Sequence, residues 1–92
     1  MAALSTAEVE RALTQLPDWQ LSDGLLNRTF NFTDFREAMS FVNSVAAVAE
    51  RAGHHPDIDI RYNKVKLALT SHDAGGITER DFALAGEIGT IL

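Results

Sequence analysis

All three histidines of the chain, His54, His55 and His72, fall in two short polar stretches, residues 50–57 and 72–81, with Glu50, Asp57, Asp73 and Asp81 beside them. An imidazole changes charge near neutrality, so several of them among carboxylates are equipped to give a proton to a departing oxygen and to take one away. Glu50 stands one helical turn before His54, where a carboxylate could orient the ring or hold a ligand N–H. His54 and His55 are neighbours and should diverge, and Pro56 stiffens the backbone that leaves them. With no cysteine in the chain, a disulfide framework, a thiolate zinc site and a cysteine nucleophile are all unavailable. Histidine and carboxylate also suit zinc or iron, and that is the rival chemistry. Adjacent histidines splay apart and no His-x3-His spacing occurs, so no metal is expected.

These groups need elements to hold them. Ser5 with Glu8 has capping-box spacing, Leu4 and Val9 form a staple, and Val9, Ala12, Leu13 and Leu16 repeat on one helical face until Pro17, which predicts a helix over residues 6–16. Residues 19–21 and 25–32 alternate as strands around an Asp23-Gly24 turn. Thr33 is suited to cap a second helix with Asp34 and Glu37 in its first turn; Phe35, Ala38, Met39, Val42, Val45, Ala46 and Ala49 make its core stripe, and Gly53 ends it. Phe41 and Val48 lie off that stripe, as a second apolar surface. Ile58, Ile60 and Tyr62 alternate with Asp59 and Arg61, and Val65, Leu67 and Leu69 alternate with Lys66, Ala68 and Thr70, giving two half-buried strands with Tyr62 in the packing. With Asn63-Lys64 as the loop, Tyr62 faces Val65, Ile60 faces Leu67 and Ile58 faces Leu69. The same register carried outward sets His55 opposite His72, with Cβ atoms about 5 Å apart. Thr78 and Asp81 form a capping box for a last helix, with Ile77 and Phe82 as its staple.

The order is therefore α-β-β-α-β-β-α, and the expected class is α+β: three helices packed on one face of a four-stranded antiparallel sheet. A chain of 92 residues has room for one core, so residues 1–92 are expected to form a single domain. Its 46% hydrophobic and 23% charged content is globular and not disordered. A net charge of -5 repels a phosphate backbone or an anionic bilayer, so neither nucleic acid nor membrane is an expected partner. The early acids Glu8 and Glu10, and the want of any apolar run of signal or spanning length, make the cytoplasm the expected location.

The run Glu50, three residues, His54-His55-Pro56, then Tyr62-Asn63-Lys64-Val65, His72, and Thr78-Glu79-Arg80-Asp81 resembles the signature of the pterin-4a-carbinolamine dehydratases. The resemblance spans nearly the whole chain, including Trp19 after Pro17 and the segment Phe41 to Asn43. Ile58 departs from it, since many relatives have an aromatic there, which bears on pocket shape. The resemblance implies the same fold, a homodimer or homotetramer, and dehydration of a 4a-hydroxytetrahydropterin to the quinonoid dihydropterin without any cofactor. The product renews the pterin used by aromatic amino acid hydroxylases. It further implies that His54, His55 and His72 are the catalytic residues, with His54 and His72 the acids and His55 chiefly positioning the pterin, and that Glu50 and Asp81 support binding through hydrogen bonds. Asp81 also has a reading as a helix-capping acid, and Glu50 one as a solvated partner of Arg51 or Arg80. The contrasting class is a non-catalytic binding module, since proteins resembling this family act as dimerisation cofactors of transcription factors or as assembly factors. An edge strand and Phe41 would serve such contacts. Retention of all four of Glu50, His54, His55 and His72 separates the enzyme from the scaffold.

Overall fold

A computed structural model describes residues 2–92. Helix α1 (Thr6–Leu13) is followed by strands β1 (Gln20–Ser22) and β2 (Leu25–Asn31), helix α2 (Phe35–Ala52), strands β3 (Asp57–Arg61) and β4 (Lys64–Leu69), a 3-10 turn (His72–Ala74) and helix α3 (Glu79–Gly89). The four strands form one antiparallel sheet in the order β1-β2-β4-β3. This is the expected α+β architecture.

The alternation of β4 decides which face the helices cover. Val65, Leu67 and Leu69 are fully buried, while Lys64 and Lys66 point away to the open face. Leu26 and Phe30 of β2 join them, and Val45 and Ala38 of α2 with Leu84, Ala85 and Ile88 of α3 complete the core. Phe41 packs its ring on Phe30 and Phe32, with centroids 4.6 and 5.0 Å away. Phe41 and Val48 are thus buried within the chain rather than forming a separate surface, and Phe35, expected in the core stripe, is exposed.

Local chemistry sets the helix ends. Ser5 and Glu8 make the expected capping box, but α1 stops at Leu13 and the chain tightens into turns before Pro17. Asp34, not Thr33, caps α2, because its side chain accepts from the N–H of Glu37 while the Glu37 carboxylate reaches back to the Thr33 N–H. Gly53 ends α2 in the left-handed conformation, at φ 63°. The Asp23-Gly24 hairpin turn has both residues at positive φ, 55° and 74°, as a type I′ turn requires.

The second hairpin differs from the sequence expectation. Its loop is Tyr62-Asn63, so Arg61 pairs with Lys64, Ile60 with Val65 and Ile58 with Leu67, two residues away from the expected register. Asn63 explains the displacement. It accepts from the Phe32 N–H and its side-chain amide donates to the Phe32 carbonyl (2.8 Å), while Lys64 is drawn into the ladder opposite Asn31 and its ammonium donates to Asn31 Oδ1 (2.9 Å). Tyr62 then turns the corner at φ 51° with its ring 66% exposed, outside the core. A shift of two keeps every side chain on its face. It also ends the ladder at Asp57 with Ala68, so His55 and His72 do not face each other across paired strands.

Candidate active site

The two polar stretches do meet, through a carboxylate rather than a ladder. Gly53 turns the chain at the end of α2, and the His54 ring enters the protein, where its Nε2 lies 2.5 Å from Asp81 Oδ1. Asp81 has no exposed surface. Its other oxygen accepts from the Ser71 hydroxyl and from the Thr78 N–H, both at 2.8 Å. A buried carboxylate needs such partners, and three donors on two oxygens satisfy it. Asp81 thereby caps α3, as its capping reading expected, and holds His54 at once. Both of its oxygens are engaged by protein donors.

As a carboxylate Asp81 only accepts, so His54 Nε2 carries the proton in the bond between them. The other ring nitrogen, Nδ1, has no hydrogen-bond partner among the described residues and is not sealed from solvent. His54 is therefore a nearly buried imidazole, with its side chain 11% exposed, anchored at one nitrogen and open at the other.

His55 turns the opposite way, as adjacent side chains on extended backbone must. Its Nε2 bonds Glu50 Oε2, and both side chains are well exposed. Glu50 thus partners His55 instead of His54, and neither Arg51 nor Arg80. His72 opens the 3-10 turn, is exposed, and makes no side-chain hydrogen bond among the described residues. The turn itself is held. Ser71, just before His72, pairs with Gly76 through two backbone bonds, and Arg80 donates to Asp73 at 2.5 Å. That guanidinium holds the Asp73 carboxyl below the ordinary carboxylate range and is itself raised by the pairing.

The structure thus joins His54 with Asp81, joins His55 with Glu50, and brings the His72 turn to the same carboxylate through its neighbour Ser71. Sequence reasoning missed Ser71, whose hydroxyl type at a strand exit carries no distinctive signal, and the Asp73–Arg80 strap. A cleft of about 290 Å³ on the open sheet face, lined by Thr29, Asp59, Arg61, Lys64 and Lys66, contains none of the histidines. No group of three or more His, Cys, Asp or Glu side chains arranged to hold a metal ion occurs among the described residues.

The family model described as pterin 4 alpha carbinolamine dehydratase matches residues 2–91. The chain belongs to this family. A Chloroflexus aurantiacus protein named "Putative pterin-4-alpha-carbinolamine dehydratase" is 58% identical over 92 residues, covering 100% of this chain and 99% of that protein. A protein of the same name from Acidobacterium capsulatum is 56% identical, covering 100% of both chains. Among solved structures, a Brucella melitensis protein described as a transcriptional coactivator/pterin dehydratase superposes with a TM-score of 0.91 at 36% identity, over 97% of each chain. A pterin dehydratase-like RuBisCO assembly factor of the α-carboxysome shares the fold, with a TM-score of 0.64 at 24% identity, over 79% of this chain and 84% of that one.

Proposed function

We propose that this dehydratase-family chain is an active hydro-lyase that converts a 4a-hydroxytetrahydropterin to the quinonoid dihydropterin by histidine acid–base catalysis. The observation that carries the proposal is His54, locked by buried Asp81 at Nε2 and left open at Nδ1. In the reaction the N5 lone pair forms the C4a=N5 bond as the C4a–O bond breaks, an acid protonates the departing oxygen to water, and the N5 proton is then removed. His54 Nδ1 and the unengaged ring of His72 supply and accept these protons from alternative sides. His55, paired with Glu50, meets the pterin from the solvent side, and the two together position it. Asp81 acts through His54 and is a positioning residue.

The chemistry uses no metal and no cofactor. The enzyme works in the cytoplasm, recycling the pterin of aromatic amino acid hydroxylases; no described helix is long and apolar enough to cross a membrane. Residues 1–92 act as a single domain, and two or four copies assemble. The edge strand β3 favours that association: it has no partner on its outer side and leaves Ile58 and Ile60, 37% and 36% exposed, on the helix-bearing side of the sheet.

The testing experiment is dehydration of a synthetic 4a-hydroxytetrahydropterin by the purified protein over a pH series, with a chelator present. Acceleration above the spontaneous rate that survives chelation is expected. A rate equal to the spontaneous one would overturn the proposal.

A further inference from the structure

Ser71 is buried, 1% exposed, and with Asp81 as a carboxylate a single arrangement of the neighbouring protons satisfies every bond. Asp81 Oδ2 only accepts, so Ser71 donates its one hydroxyl proton to it (2.8 Å). Thr78 Oγ1 accepts from the Arg80 N–H (3.2 Å) and lies 2.8 Å from Ser71 Oγ. Ser71 has no second proton, so the Thr78 hydroxyl must donate to Ser71. The bonds run one way, from the Thr78 hydroxyl to Ser71, from Ser71 to Asp81 Oδ2, with the Thr78 N–H on the same oxygen and His54 Nε2–H on the other. Bonds aligned in this manner polarise one another, and in a buried setting an unmade one is expensive.

The backbone of Ser71 does a second job. Its N–H donates to the Gly76 carbonyl (3.1 Å), and its own carbonyl accepts from Gly76 and from Ala74 (3.3 and 3.0 Å), which closes the loop that carries His72. One residue therefore anchors the His72 turn by its main chain and the His54 ring by its side chain.

We propose that Ser71 is a positioning residue that couples the two histidines: its hydroxyl fixes the plane of the Asp81 carboxylate, which keeps the proton of neutral His54 on Nε2 and leaves Nδ1 open. The proposal rests on the dehydratase reading for its effect on rate, and on geometry alone for its effect on the ring. Removing the hydroxyl leaves Asp81 with Thr78 N–H and His54 only, frees the carboxylate to rotate, and deprives the Thr78 proton of its acceptor. The main-chain bonds that close the His72 loop do not involve the side chain.

The test compares wild type, Ser71→Ala and Ser71→Thr by two readouts. Nitrogen-15 NMR of the histidine rings, at a pH where His54 is neutral, reports which nitrogen holds the proton, and steady-state kinetics on a 4a-hydroxytetrahydropterin separate kcat from KM. Wild type is expected to show the Nε2–H form of His54. Ser71→Ala is expected to show a mixture of the two forms, with kcat lowered about tenfold to a hundredfold, the scale of a misplaced catalytic group, and KM unchanged. Ser71→Thr keeps the hydroxyl and is expected to restore both signals. A wild-type His54 protonated on Nδ1 overturns the proposal even where Ser71→Ala fails to fold. So does a folded Ser71→Ala with unchanged ring signals and kcat, or a loss that Ser71→Thr shares in full. A wild type without turnover would instead remove the dehydratase reading, and the ring signals would still decide the part played by Ser71.

Discussion

Asp81→Asn separates the fold from the chemistry. The amide oxygen, placed where Oδ2 lies now, still accepts from Ser71 and from the Thr78 N–H, so the cap of α3 survives. The amide nitrogen then faces His54 Nε2, in place of the oxygen that lies 2.5 Å away. Three charge-assisted bonds become neutral ones, a loss of about 1 kcal/mol each and ~3 kcal/mol in all. A chain of 92 residues has a stability of about 5–14 kcal/mol, so the variant folds. The ring fares worse. Neutral His54 must accept from the amide and move its proton to Nδ1, and the doubly protonated ring meets the amide donor to donor. Both states needed for acid and base work at Nδ1 are thereby disfavoured, and a fall in kcat of about a hundredfold to ten-thousandfold is expected. Urea denaturation followed by circular dichroism gives the stability, and turnover of a 4a-hydroxytetrahydropterin gives the rate. Unchanged turnover in a folded Asp81→Asn protein would show that His54 does not depend on the carboxylate.

Two more outcomes follow from the same structure. Arg80 holds the Asp73 carboxyl below its ordinary range, so their bond adds stability that is present above the unfolded value and is lost as pH falls through the lower, folded one. Arg80→Ala should therefore unfold at lower urea than wild type at neutral pH and match it once the medium is acidic enough to protonate Asp73; a pH-independent difference would contradict this. Ile60→Lys puts a charge on the exposed edge strand and should shift sedimentation toward the monomer, whereas an unaltered association state would move the contact away from β3.

The fold was legible because period and punctuation agreed. The α2 stripe, the Asp23-Gly24 turn, the Gly53 stop and the Thr78 capping box each carry a local signal strong enough to place an element. The register of the second hairpin was not, because Asn63 is fixed by a partner outside the hairpin, the Phe32 backbone, and no rule confined to the hairpin contains that contact. Alternation likewise said that Ile58 and Ile60 share a face with Val65 and Leu67, but could not say that the helices stop short of the edge strand. At the site, the divergence of His54 from His55 was readable from their adjacency alone. The partners were not: His54 binds a carboxylate 27 residues away, and the nearer Glu50 goes to His55. Ser71 was invisible because its importance comes from burial beside Asp81, which exists only after folding.

In the proposed mechanism, imidazoles from two distant stretches serve one leaving group. The most direct measurement is the dehydration rate of a 4a-hydroxytetrahydropterin by the His54→Ala/His72→Ala double variant, with circular dichroism confirming the fold. The spontaneous rate with native secondary structure is expected. A folded double variant as fast as wild type would contradict it.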